Sequence, residues 1–279
     1  MRISAEQIDA YERDGFLVLS NFAGDHECDR LRTRAEELVR KFDPAEAVSI
    51  FSTQEQTRTS DEYFLESGDQ IRFFFEENAF RSDGTLRQAK EQSINKIGHA
   101  LHDLDPVFNR FSRAAKIKQL VSGLGITDPL LIQSMYIFKQ PNIGGQVTCH
   151  QDATFLYTEP LRMLGLWFAL EDATIDNGCL WAIPGGHNFG LKSRFVRNEG
   201  GGTRFEVFDD SPWPEDKLQP LEVEKGTLIV LHPLLPHLSR ENNSPRSRHA
   251  YTLHIIDAGA HYPEDNWLQR SAEMPARGC

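Results

Sequence analysis

The sequence is short of positive charge, of paired cysteines and of long apolar runs, and each shortage narrows what the chain can be. Lysines and arginines number 30 against 41 aspartates and glutamates, a net charge of −11. A field of that sign repels nucleic acid and anionic lipid surfaces. No nucleic-acid or membrane partner is therefore expected, and a polyanionic substrate would need a local basic patch. No apolar run approaches the ~20 residues of a membrane span. The polar opening MRISAEQIDAYERDG lacks the pattern of a secretory leader. The closing PARGC matches neither a peroxisomal SKL-type address nor a prenylation box. Cysteines stand only at 28, 149, 179 and 279, with no C-x-x-C pair, and read as reduced thiols of a cytoplasmic protein. No internal repeat and no low-complexity segment is found.

What is present suits a globular core. Of 279 residues, 39% are hydrophobic and 25% charged, which excludes disorder, collagen and coiled coil. The first third, about residues 1–125, reads as mainly helical. Ser4 to Gln7 is a capping-box pattern for a short helix ending at Asp14-Gly15. Phe16–Leu19 reads as a strand. Asp25 is placed to cap a helix reaching Lys41, with Cys28, Leu31, Ala35 and Leu38 on one face. Ile71–Phe75 reads as a strand, and Ser93–Leu104 and Pro106–Leu120 as two helices. From about residue 129 to 258 the texture becomes short β-rich runs separated by turn residues, which predicts a sandwich or barrel. A long interruption at about 192–220, with three glycines in a row and with Pro212 and Pro214, reads as a lid or binding loop.

The chemistry-bearing pattern is His150-Gln151-Asp152 after a strand-like run. Residues i and i+2 share one face of a strand, so an imidazole and a carboxylate converge there. Two histidines and one carboxylate form the facial triad of non-haem Fe(II) oxygenases. The pair alone is weak: ten histidines and 41 acids in 279 residues give about 1.5 such pairs by chance. A third ligand would come from His187, His232, His237, His249 or His254. His232 and His237 both follow a buried-looking strand, His254 reads as a core histidine and His187 as a turn residue. Arg248 and Arg246 stand where the last strong strand begins. A guanidinium beside a metal is a natural clamp for a carboxylate, and a surface role is the plainer reading of either arginine alone. Cys149, next to His150, should turn to the opposite strand face and serve as a packing thiol.

Taken together, His150-Gln-Asp152, then Asn177-Gly-Cys-Leu-Trp-Ala-Ile-Pro-Gly-Gly-His187, then Gly226-Thr-Leu through His232-Pro-Leu-Leu-Pro-His237, then Arg248, resemble the phytanoyl-CoA dioxygenase family. Ser93 to His102 and Gln133 to Pro141 add to the likeness, which spans about residues 8–270 and leans toward the family's domain-containing protein 1 subgroup. The resemblance implies a mainly β protein with flanking helices, built on a double-stranded β-helix (a jelly-roll, cupin-type core), as one domain over 1–279. It implies Fe(II) held by His150, Asp152 and His237, and 2-oxoglutarate as cosubstrate with Arg248 on its far carboxylate. Lys96, Met135, Trp167 and Ser239 match family positions around the cosubstrate, and Arg246 does so within the subgroup.

A small residue replaces the carboxylate in related halogenases, so the presence of Asp152 implies hydroxylation. The expected reaction is oxidation of a C–H bond of a small molecule by O2, with 2-oxoglutarate decarboxylated to succinate and CO2 and ascorbate as a possible reductant. The alternatives are a cupin-type metalloenzyme of another class and a 2-oxoglutarate-binding protein without turnover. Phe155, Tyr157 and Tyr136 are candidates for the substrate pocket, with the 50–69 and 192–220 segments shaping its mouth. The protein is expected to be a monomer.

Overall fold

The structure is a computed structural model describing residues 3–44, 48–51 and 61–279. Its strands are β1 (Phe16–Leu19), β2 (Ile71–Phe75), β3 (Ile94–His99), β4 (Pro129–Ile137), β5 (Val147–His150), β6 (Met163–Ala169), β7 (Leu180–Ala182), β8 (Ser193–Arg197), β9 (Thr203–Val207), β10 (Gln219–Leu221), β11 (Leu228–Leu231), β12 (His237–Ser239), β13 (Ala250–Asp257) and β14 (Arg277–Gly278). The helices are α1 (Ala5–Asp14), α2 (Asp25–Lys41), α3 (Glu62–Leu65), α4 (Leu101–Leu104), α5 (Pro106–Ser112) and α6 (Ala115–Gly123).

A large antiparallel sheet runs β1-β11-β6-β13-β4-β3-β2, with β14 added at β4, and a smaller one runs β10-β7-β12-β5. This is a mainly β, double-stranded β-helix core with flanking helices. Alternation along the strands divides the two faces of the large sheet. Tyr251, Leu253 and Ile255 of β13 join Leu164, Leu166 and Phe168 of β6 in a core under α2, α5 and α6. Thr252 and His254 of β13, with Gly165 and Trp167 of β6, face the interior between the sheets. β6 (MLGLWFA) is buried on both faces and so reads as a continuous apolar run.

The helix starts follow their caps. Ser4 and Gln7 form the capping box of α1, and Gly15 ends it in the left-handed region. Gly24, not Asp25, caps α2, and Glu27 closes on the Gly24 N–H at 2.9 Å. Asp105 accepts from Val107 and Phe108 N–H ahead of Pro106.

Both helices expected between residues 93 and 120 are corrected, and the one expected over Pro106–Leu120 is broken into α5 and α6. Residues 94–99 form strand β3, paired with β2 and β4, so the helix expected over Ser93–Leu104 shrinks to α4. The polar residues Asn95, Lys96 and His99 of this strand line the interior cavity, so the hydrophobic pattern that marks a strand is missing. The N-terminal third therefore contributes β1, β2 and β3 to the main sheet. The 192–220 stretch, read as a lid or binding loop, holds the β8–β9 hairpin and the start of strand β10. Among the described residues, no helix is long and apolar enough to cross a membrane.

Candidate metal centre and its cavity

The small sheet delivers two histidines to one point. His237 on β12 is the ladder partner of His150 on β5, and their rings lie 4.3 Å apart. Just beyond β5 the chain turns, and Asp152 comes in beneath them. His150 Nε2 is 3.8 Å and His237 Nε2 3.7 Å from Asp152 Oδ1. One donor atom from each of the three residues lies within 4.8 Å of the others, the only such group found among the described residues. Two metal–ligand bonds of about 2.1 Å span up to about 4.2 Å, so each histidine–aspartate separation suits a shared cation.

The tautomers favour metal binding. His150 Nδ1 is 2.8 Å from Thr148 O, and His237 Nδ1 is 2.9 Å from Leu235 O. A carbonyl only accepts, so both Nδ1 atoms carry the proton and both Nε2 lone pairs face Asp152. Burial lowers the His150 pKa to about 4, which keeps the ring neutral at ordinary pH. Burial works against ionising Asp152, but His254, His237 and His150 outweigh it and hold its pKa below the usual carboxylate range. His254 Nε2 lies 3.3 Å from Asp152 Oδ2. Gly165 makes room for this carboxylate: a Cβ there would stand 2.6 Å from Asp152 Oδ2.

The centre opens on a cavity of about 600 Å³. Arg248, Lys96, Met135, Trp167 and Ser239 all line it. Arg248 is buried; its Nε donates to Gly178 O at 3.1 Å and its Nη2 to Ser239 Oγ at 3.2 Å. Its Nη1 has no partner among the described residues, and Trp167 packs 5.2 Å from its guanidinium carbon. Burial lowers its pKa to about 10, which leaves it a cation. The Lys96 amine sits 3.4 Å over the Phe51 ring and 4.0 Å from Met135 Sδ, and burial lowers its pKa to about 7.

Not every predicted residue arrives. Arg246 is exposed in the turn before β13 and does not line the cavity. Tyr136 faces the helical core, where its hydroxyl meets His249 Nδ1 at 2.8 Å, because strand alternation gives the cavity to Met135 and Ile137. Tyr157 packs 4.8 Å from the Arg194 guanidinium, outside the cavity. Phe155 does line it, with its ring 5.9 Å from His150. The His187 and His232 rings lie 4.8 Å apart, tilted by 49°, beside α1 and away from the centre. Cys149 borders the cavity instead of turning away, and burial pushes its thiol up to about 12. Of the 50–69 segment, residues 52–60 lie outside the described residues; Phe51 and Phe64 line the cavity.

His254, weighed as a ligand but read as a core histidine, borders the cavity and meets Asp152. Other residues at the site carried no readable signal. Gln151 is one: fully buried between two predicted ligands, it donates to Gly190 O and Leu234 O, each at 2.8 Å, and accepts from Lys192 N at 3.0 Å. Lys139 donates to Gly145 O at 2.6 Å, and burial, with Arg248 nearby, lowers its pKa to about 7. The Gln151 contacts join segments far apart in sequence.

Fold and geometry together define a cupin-type jelly-roll protein with a candidate His/Asp/His metal centre. EctD from S. alaskensis, solved with 2-oxoglutarate and 5-hydroxyectoine, superimposes with a TM-score of 0.65 at 21% identity, covering 98% of this chain and 86% of that one. The non-heme alpha ketoglutarate dependent carbocyclase SnoK from nogalamycin biosynthesis also gives 0.65, at 18% identity over 94% of this chain and 87% of that one. At such identities the likeness is one of fold. The family model for phytanoyl-CoA dioxygenase (PhyH) matches residues 11–250, and the chain belongs to that family. It is 50% identical over 276 residues to the phytanoyl-CoA dioxygenase of Arabidopsis thaliana, covering 98% of this chain and 95% of that one. It is 47% identical over 283 residues to phytanoyl-CoA dioxygenase domain-containing protein 1 of Mus musculus, covering 98% and 97%.

Proposed function

We propose that the protein is an Fe(II)- and 2-oxoglutarate-dependent dioxygenase that hydroxylates a C–H bond of a small molecule. Arg248 carries this reading. A buried guanidinium with one nitrogen unpartnered and no carboxylate beside it among the described residues is a site waiting for an anion. It shares a cavity with three donors suited to iron.

His150, Asp152 and His237 would hold Fe(II) and leave coordination positions open. Arg248 and Ser239 would take the far carboxylate of 2-oxoglutarate, with Lys96, Met135 and Trp167 around its body. Iron, 2-oxoglutarate and O2 supply the oxidising chemistry when bound, yielding succinate and CO2. The chain's part is to orient and to exclude water. The carbonyls of Thr148 and Leu235 fix the two imidazoles. The rings of Phe155, Phe195 and Phe205 form an apolar wall for the substrate. The hairpin β8–β9 and Trp213 serve as a lid, within a single oxygenase domain spanning the chain.

Succinate release from 2-oxoglutarate with Fe(II) and ascorbate in air, compared with a His150→Ala control, tests the proposal. Succinate above the control, and loss of 2-oxoglutarate binding in Arg248→Ala, are expected. No succinate with any of a panel of metabolites would favour a binding protein. Unchanged 2-oxoglutarate binding in Arg248→Ala would favour a metalloenzyme of another class.

A further inference from the structure

His99, three residues beyond Lys96 on β3, is completely buried at the cavity wall among the rings of Phe64, Phe74 and Trp267. Its neighbours fix its tautomer. Ser67 Oγ lies 2.5 Å from Phe64 O and 2.6 Å from His99 Nδ1. A hydroxyl has one proton and a carbonyl only accepts. Ser67 therefore donates to Phe64 O and accepts from His99 Nδ1–H, which leaves a lone pair on Nε2. That atom is buried and unpartnered among the described residues. Buried acceptors are rarely left so. Protonation does not resolve the mismatch, since burial, helped by Lys96 and His254, holds the His99 pKa well below 6.5. His254 Nδ1, on the same cavity, is unpartnered as well.

Resting on the reading of this cavity as a substrate site, we propose that His99 Nε2 accepts a hydrogen bond from the substrate, whose class is an apolar body bearing a hydroxyl or N–H group. Lys96 sharpens the choice. Its amine and the His99 ring border the same two side chains, Phe64 and Phe74. A hydroxyl donates to His99 Nε2 and still has lone pairs for a donor on the Lys96 side of the cavity. A carboxylate or a thioester carbonyl offers only lone pairs and would face the Nε2 lone pair unmatched. The surrounding rings suit an apolar body.

Matched probes test this without turnover. The full chain loaded with Zn(II) and 2-oxoglutarate is titrated with 4-fluorobenzyl alcohol and with 4-fluorotoluene, followed by fluorine NMR. The alcohol is expected to bind at least tenfold more tightly. That advantage should vanish in His99→Phe and survive in His99→Gln, which restores an acceptor. Ser67→Ala keeps the ring but releases its tautomer, so preference should shift toward the acceptor-only 4-fluorobenzaldehyde; this arm decides the matter if His99→Phe does not fold. Equal affinity of the two probes in the parent protein, an undiminished preference in His99→Phe, or no shift in Ser67→Ala would overturn the proposal. Probe preference that follows His99 in a protein making no succinate would keep this subsite and remove the oxygenase reading instead.

Discussion

His150 and His237 face each other across the β5–β12 ladder, so backbone pairing sets the distance between their rings. Asp152 alone reaches the site from outside a strand, and its position depends on packing against β6 and β13.

Gly165→Ala tests that dependence. Its new Cβ would meet Asp152 Oδ2 at 2.6 Å, with Leu231 Cβ at 3.4 Å on the other side. The carboxylate must move. Calorimetry with Co(II) or Fe(II) should show at least about a tenfold loss of affinity, equivalent to about 1.4 kcal/mol, with the fold retained by circular dichroism.

Gln151→Leu should loosen the stretch that begins at Gly190. Three hydrogen bonds vanish, and the part-buried Gly190 and Leu234 carbonyls and the buried Lys192 N–H lose this partner. Neutral hydrogen bonds contribute about 0.5–1.5 kcal/mol each, and buried orphans cost more. A stability loss of about 2–4 kcal/mol in urea is expected, together with faster hydrogen exchange over residues 190–213.

Asp103→Asn should be severely destabilising. This buried carboxylate meets Arg113 at 2.7 Å, Arg277 at 3.2 Å and Arg270, and thereby ties the C-terminal stretch to α4. Removing the anion leaves these guanidiniums, one of them nearly buried, without a counterion, at a cost of about 3–5 kcal/mol. Urea denaturation reads the loss.

Acid should weaken the metal-free fold between pH ~6.5 and ~4. Burial lowers His249 and His232 to about 4, whereas an unfolded imidazole titrates near 6.5. In that window the unfolded chain binds protons that the folded one refuses, so the contribution of these histidines falls as pH falls and levels off below about 4. Each group contributes up to about 1.4 kcal/mol per pH unit. Melting temperatures at pH 7, 6 and 5 should show the decline, and His249→Gln should flatten it.

The chain announces its β-rich second half because turn residues punctuate short apolar runs, and β4, β6, β11 and β13 all fall in the stretch so marked. Capping chemistry likewise marks α1 and α5. Strand β3 was hidden for a physical reason: its side chains serve the cavity, so polarity rather than burial pattern governs them. His150-x-Asp152 was legible from its spacing, although the shared strand face expected for it is not formed: β5 ends at His150 and Asp152 lies in the turn beyond. The choice between His232 and His237 was not, since both follow β11 closely and only the ladder with β5 brings His237 across from His150.

Local sequence thus determined the β-rich second half, the starts of α1 and α5 and which two residues begin a metal site, because propensity, capping and periodicity act over a few residues. Tertiary structure alone decided that His254 meets Asp152, that Gln151 grips two distant loops, that Tyr136 turns to the helices and that Arg246 stays in solvent. Those outcomes depend on which strands pair and in what register, and register is set by packing across the whole sheet.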